Sequence, residues 1–127
     1  NNMSAIHSLT IADVIISDWS GAALEFAFAR LKPALFIDVP RKINNKNYES
    51  LGLIPVEVSI REKIGTILPE NKIQKISTYV DDLISNEVDW NDKIEKVRGE
   101  TVFNIGDSGQ VAAKWLVKNI NLEKKYE

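Results

Sequence analysis

Two short, continuous apolar runs, Val14-Ile15-Ile16 and Ala34-Leu35-Phe36-Ile37, bracket one long apolar stretch from Ala22 to Leu31. Runs of this length without polar alternation fit strands buried on both faces, as in a parallel sheet covered by helices. The stretch between them is apolar nearly all round, broken only by Glu25 and Arg30, which predicts a helix buried in a larger body. Lys32-Pro33 ends that helix, because the residue before proline resists the helical region. Strand, helix and strand in so few residues make a tight βαβ unit, for which a right-handed crossover is expected.

The join between the first strand and the helix is chemically distinct. Ser17-Asp18-Trp19-Ser20-Gly21 places a carboxylate, two hydroxyls, an indole and a glycine where oily residues stop. In open parallel sheets ligands bind at the carboxyl ends of strands, and such a turn sits there. The free amides and dipole of a helix N-terminus favour phosphate. Gly21 leaves the backbone open to a phosphate, Ser20 adds a hydroxyl donor, and Asp18, which would repel an anion directly, orients or caps the turn. The simpler reading is that Asp18 and Ser20 only cap a helix and Gly21 only permits packing. Glu25 raises the same choice. It shares a helix face with Ala22 and Ala29 and leans back toward the turn. No lysine or arginine stands three or four residues away, so a buried Glu25 requires a partner from another segment, a ligand or solvent. The alternative is that Glu25 is simply exposed.

Beyond Ile37 the chain turns polar and basic from Arg41 to Ser50, with Arg41, Lys42 and Lys46 placed either to flank a diphosphate or to form an ordinary solvated loop. Leu53 to Val58 is expected to be a third strand, near an edge because of Pro55. Ile73, Ile76, Tyr79, Val80, Leu83 and Ile84 then repeat at helical spacing, with Pro69-Glu70 as start and Ser85-Asn86 as stop. Trp90 to Val97 predicts a short helix ending near Gly99. Asp107 with Gln110 resembles a capping box before a last helix carrying Val111, Ala112, Trp115, Leu116 and Ile120 on one side. The expectation is one α/β domain over residues 1–122, with a charged tail at 123–127. Three strands make a thin sheet for so oily a helix, and the polar opening Asn1-Asn2-Met3-Ser4 does not resemble a native start. The sheet is therefore expected to continue in strands preceding residue 1.

Composition narrows the chemistry. The 127 residues are 44% hydrophobic and 27% charged, with net charge −2, which gives no global electrostatic reason to bind nucleic acid. The absence of cysteine excludes a disulfide framework, a thiol nucleophile and thiolate metal sites. His7 is the only histidine, so multi-histidine metal sites are excluded too, and the reading calls for neither a metal nor a cofactor. No apolar run approaches the roughly 20 residues of a membrane-spanning helix. Gly106-Asp107-Ser108-Gly109 imitates the surroundings of a serine-protease nucleophile, but one histidine on an α/β chain makes a poor triad and the segment fits a helix cap.

The stretch Ala12-Asp13-Val14-Ile15-Ile16-Ser17-Asp18-Trp19-Ser20-Gly21-Ala22-Ala23-Leu24-Glu25-Phe26-Ala27, followed by Lys32-Pro33-Ala34-Leu35-Phe36, resembles the C-terminal domain of the CDP-glycerol glycerophosphotransferases. These are teichoic-acid polymerase-like enzymes of the two-domain GT-B fold. Asp13, Asp18, Ser20, Glu25, Lys32 and Pro33 fall on the family's pattern, and Gly106 to Gly109 resembles its closing segment. The likeness is dense over residues 12–37 and diffuse afterwards. Trp19 stands for a usual tyrosine, Gly21 for a serine and Glu25 for an aspartate, and Val39-Pro40-Arg41-Lys42 lacks the aromatic, acid-containing pattern expected there.

The resemblance implies a partial Rossmann-like parallel sheet flanked by helices, in the C-terminal, donor-binding part of a GT-B-like transferase. It would move glycerophosphate, or a similar polyol-phosphate or glycosyl group, from a nucleotide-activated donor such as CDP-glycerol to a cell-surface polymer. Ser17, Asp18, Ser20, Gly21 and Glu25 would be the substrate-binding residues. The family's histidine motifs lie upstream of this stretch and His7 matches neither, so no catalytic residue is assigned and the isolated chain is expected to be inactive. A polymer or lipid-linked acceptor would engage a preceding domain. The full protein would be cytoplasmic, or peripheral on the inner face of the membrane. The competing class is a non-catalytic Rossmann-like module that binds a nucleotide or a partner.

Overall fold

A computed structural model describes residues 5–41, 43 and 47–123. Lys42 and Lys46 of the basic loop, the opening 1–4 and the tail beyond Glu123 lie outside the described residues. The chain divides into two compact units, residues 1–97 and 98–127.

The first unit is a small mixed α/β fold around a three-stranded parallel sheet. After α1 (Ala5–Ile11) come β1 (Ile15–Ser17), α2 (Ala22–Arg30) and β2 (Ala34–Asp38). A single 3-10 turn (Tyr48–Leu51), α3 (Val56–Ser59) and α4 (Arg61–Ile64) lead to β3 (Gly65–Pro69). A further 3-10 segment (Glu70–Lys75) precedes α5 (Ile76–Ser85) and α6 (Glu87–Thr101). The strand order is β1-β2-β3, with Ile15 opposite Ala34 and Ala34 opposite Gly65.

The middle strand carries the core. Successive side chains of a strand point to opposite faces, and β2 obeys this without exception: Ala34 and Phe36 join one apolar cluster, Leu35 and Ile37 the other. The first cluster gathers Ala23 and Ala27 of α2, Ile60 and Ile64, and Ile94 of α6. Both strand-to-strand connections therefore cover the same face. The two alanines, one helical turn apart, let α2 lie close on the sheet. The second cluster sets Leu35 and Leu68 against Leu83 of α5, with Tyr79 and Val80 at its margin. Each fully buried Leu, Ile or Phe contributes about 1.5–3 kcal/mol relative to exposure, so β2 and its two covers dominate the stability of the unit.

Several expectations need correction. The third strand is Gly65–Pro69, not Leu53 to Val58. Leu53 and Ile54 are about three-quarters exposed and Val56 opens a short helix. Gly65 and Thr66 hide the real strand from a hydrophobicity scan, yet Gly65 is needed there. A Cβ on it would fall 1.8 Å from the carbonyl oxygen of Ala34. The first strand is not buried on both faces, since Ile16 is half exposed at the sheet edge. Nor is α2 buried all round: Ala23, Phe26 and Ala27 face the core, whereas Ala22, Glu25 and Ala29 face solvent. It ends at Arg30 through Leu31, whose left-handed backbone (φ 55°) returns its N–H to the Ala27 carbonyl ahead of Pro33. Pro69-Glu70 starts a 3-10 segment, and the α-helix proper begins at Ile76. Ile73 and Ile84 of its expected stripe are exposed. Finally, α6 is longer than expected at both ends and runs through Gly99, a tolerable break of about 1 kcal/mol on an exposed helical position.

At the foot of the sheet, Asp13 and Lys32 have a structural task. The Lys32 ammonium pairs with Asp13 ahead of β1 and, at 3.0 Å, with Glu87 at the start of α6. The bond and charge of Lys32 hold the Asp13 carboxyl below its usual range, and the same hydrogen bond raises Lys32.

The second unit comprises the end of α6, a turn with left-handed backbone at Asn104 and Gly106, and α7 (Ser108–Glu123). The Asp107 carbonyl accepts the Val111 N–H at 3.0 Å, so Gly106 to Gly109 is the entry to a helix. Val111, Trp115, Leu116 and Ile120 of α7 are exposed. No helix among the described residues is long and apolar enough to cross a membrane.

Candidate functional site

The parallel sheet puts the carboxyl ends of β1 and β2 side by side, with Ser17 opposite Phe36. The turn from Asp18 to Gly21 leaves β1 at that corner, and Val39 to Arg41 leaves β2 beside it. The turn is organised by its own side chains. Asp18 Oδ1 accepts the Ser20 N–H at 3.1 Å, and Ser20 Oγ accepts the Ala22 N–H at 3.3 Å. Gly21 occupies the N-cap position in a helical conformation (φ −60°, ψ −22°), and no side chain caps the helix from that position. A Cβ on Gly21 would meet nothing within 4 Å, so packing does not require glycine there.

The five candidate residues thus share one corner. Ser17 is half-buried, while Asp18, Ser20, Gly21 and Glu25 are exposed. The Asp18 bond to the Ser20 amide is common to the orienting and the capping readings. Glu25 is on the surface and forms no ion pair among the described residues, so it needs no internal partner to offset burial.

Trp19, the indole of the turn, is the centre of the corner. Its indole N–H donates to the Val39 carbonyl at 2.8 Å and ties the two strand ends together. The Arg61 guanidinium lies 3.8 Å from the centre of the Trp19 ring and 5.1 Å from that of Phe36. Arg41 approaches the same indole at 5.9 Å and Tyr48 at 5.2 Å. A cation over an aromatic face gains about 0.5–2 kcal/mol, more when desolvated. Arg61 is 3% exposed; it reaches Asp38 Oδ1 and the Ile37 carbonyl, each at 3.5 Å, and its Nε has no acceptor among the described residues. Sequence reasoning did not find Arg61. Its one trace is an arginine between Ile60 and Ile64, two residues of a core-facing turn.

Chemically, the corner combines the polar groups of the turn with two arginines over one indole and the carboxylate of Asp38 on Arg61, while Asp18 and Glu25 lie exposed on the turn and helix. Among the described residues, no cluster of His, Asp or Glu is fit to hold a metal ion. An open cleft of about 220 Å³, lined by Thr66, Thr78, Tyr79 and Asp82, lies along β3 and α5, on the opposite edge strand from β1. Compared with known proteins, the chain matches no family model, no curated protein and no solved structure.

Proposed function

We propose that the chain binds a phosphorylated, nucleotide-linked donor at the carboxyl corner of its parallel sheet. In this reading it is the donor-binding C-terminal region of a GT-B-like transferase. The group moved is glycerophosphate or a related polyol-phosphate or glycosyl unit, carried by a donor such as CDP-glycerol to a cell-surface polymer. Ser20, Gly21 and the adjoining amides face the diphosphate, Glu25 meets a hydroxyl of the donor, and Asp18 fixes the turn.

The observation that carries the reading is the exposed strand-to-helix turn of Asp18 to Gly21 beside two arginines, at the end of a parallel sheet where ligands bind. Open space over Gly21 and an exposed Glu25 that makes no ion pair among the described residues fit the same role. Calorimetric titration with CDP-glycerol, CDP and inorganic phosphate tests it. CDP-glycerol is expected to bind tightest, and Glu25→Gln to weaken it relative to CDP. Equal affinity for all three would remove the donor assignment.

The second reading, a non-catalytic nucleotide- or partner-binding module, is favoured by one detail: Asp18 and Ser20 already engage two turn amides. For that module, Glu25→Gln leaves every affinity unchanged.

A further inference from the structure

We propose that Arg61 anchors an oxyanion site at this corner and that Asp38 occupies it as an internal stand-in, displaced when a phosphate or diphosphate group binds. The inference rests on the reading that the corner takes a phosphorylated ligand, and it assigns the residue that recognises the charge.

An arginine keeps its charge at any physiological pH, and its planar fork suits two short, parallel bonds to one oxyanion. A guanidinium 97% withdrawn from solvent therefore demands a well-matched anion. Arg61 lacks one. Its bond to Asp38 is single and 3.5 Å long, against about 2.7–2.9 Å for a charge-assisted pair. The bond to the Ile37 carbonyl is equally long, and among the described residues the Nε proton has no acceptor. The Asp38 side chain is 51% exposed, so it can turn to water at little cost.

The surroundings supply the remainder of the site. Arg41 stands over the same indole, half-buried, and makes no ion pair among the described residues. It is the second cation that an entering dianion meets. A tetrahedral phosphate presents several oxygens and can engage both guanidinia at once. Asp38, tethered to the end of β2, engages only one. Trp19, held by Val39, keeps the Arg61 plane fixed for either occupant.

The test uses inorganic pyrophosphate, titrated calorimetrically at constant ionic strength into the whole chain and into Asp38→Asn, Arg61→Lys and Arg41→Met. Circular dichroism and thermal unfolding establish that each variant is folded. Asp38→Asn is expected to bind pyrophosphate on the order of tenfold tighter, because the substitution removes the carboxylate charge that pairs with Arg61 and repels the entering anion. Arg61→Lys and Arg41→Met are expected to bind it at least about tenfold more weakly, having lost the fork or the second charge. Unchanged or weaker binding by folded Asp38→Asn overturns the proposal, as does failure of both the parent chain and Asp38→Asn to bind millimolar pyrophosphate. Should Asp38→Asn fail to fold, Asp38→Ser repeats the test, and loss of fold in both makes the ion pair structural and ends the case. Binding of CDP-glycerol that ignores residues 38 and 61 keeps the donor reading and discards this one. Tighter pyrophosphate binding by Asp38→Asn with no gain from the nucleotide does the reverse.

Discussion

Replacing Gly65 with alanine puts the sheet register itself at risk. The added Cβ would lie 1.8 Å from the Ala34 oxygen, 2.7 Å from its carbonyl carbon and 2.9 Å from its nitrogen. Ordinary contact for such atoms begins near 3.4 Å. All three belong to the backbone of a fully buried residue on the central strand, so no side-chain rotation relieves the clash. The strands must part, which disturbs ladder hydrogen bonds worth about 0.5–1.5 kcal/mol each, on top of overpacking worth about 1–3 kcal/mol. Backbone strain adds nothing, because Gly65 is extended at φ 174°. Alanine also trims the entropy of the unfolded chain, which returns about 0.4–1 kcal/mol. The net loss is about 1–4 kcal/mol, a large share of the roughly 5–15 kcal/mol that holds a domain together. Urea unfolding is expected to show a midpoint lower by about 0.5–3 M at unchanged slope. Gly99→Ala is the control: its Cβ would meet nothing, and it is expected to stabilise α6 by roughly 0.5–1 kcal/mol. A Gly65→Ala midpoint equal to that of the parent chain would refute the pairing of Ala34 with Gly65.

Other perturbations separate the remaining claims. Gly21→Ala is expected to leave stability within about 0.5 kcal/mol, since space and backbone both permit it, while weakening a phosphate ligand that rests on the turn; unfolding and pyrophosphate titration read the two effects separately. Leu83→Ala, in a fully buried site, is expected to cost about 2–5 kcal/mol, whereas Leu53→Ser, three-quarters exposed, is expected to cost under about 0.5 kcal/mol. A severe loss at Leu53 in urea unfolding would restore the strand expected there. The ion pair has a defined pH signature. Asp13, held below its ordinary value, contributes stability above that value and loses it as pH falls through the lowered one; Lys32, held above its own, contributes below that value and loses it as pH rises through the raised one. Lys32→Met is therefore expected to flatten the decline in thermal midpoint below about pH 4 and at strongly alkaline pH, and identical pH profiles would exclude the pairing.

The βαβ unit was legible because its physics is local. Apolar runs long enough for one strand or one helix, closed by Asp18 to Gly21 and by Lys32-Pro33, admit few other foldings. The placement of Ser17 to Gly21 at the strand's carboxyl end follows from the same order of elements, and with it the candidate site. Glu25 was ambiguous for a physical reason: one helix of alanine, leucine and phenylalanine does not reveal which of its faces meets the sheet. Only packing showed Ala23, Phe26 and Ala27 inward and Glu25 outward.

The chain by itself determined a parallel strand–helix–strand corner with a polar turn, because hydrophobic runs, a proline and turn residues act on their neighbours. Tertiary structure alone decided that Gly65 to Pro69, rather than the oilier Leu53 to Val58, completes the sheet, since the value of glycine there depends on a carbonyl thirty-one residues away. It alone brought Arg61 against Trp19 and Asp38, because a long side chain reaching to the end of another strand leaves no period or spacing in the sequence. Local forces wrote the elements, and only the close approach of distant backbones and charges selected the corner's chemistry.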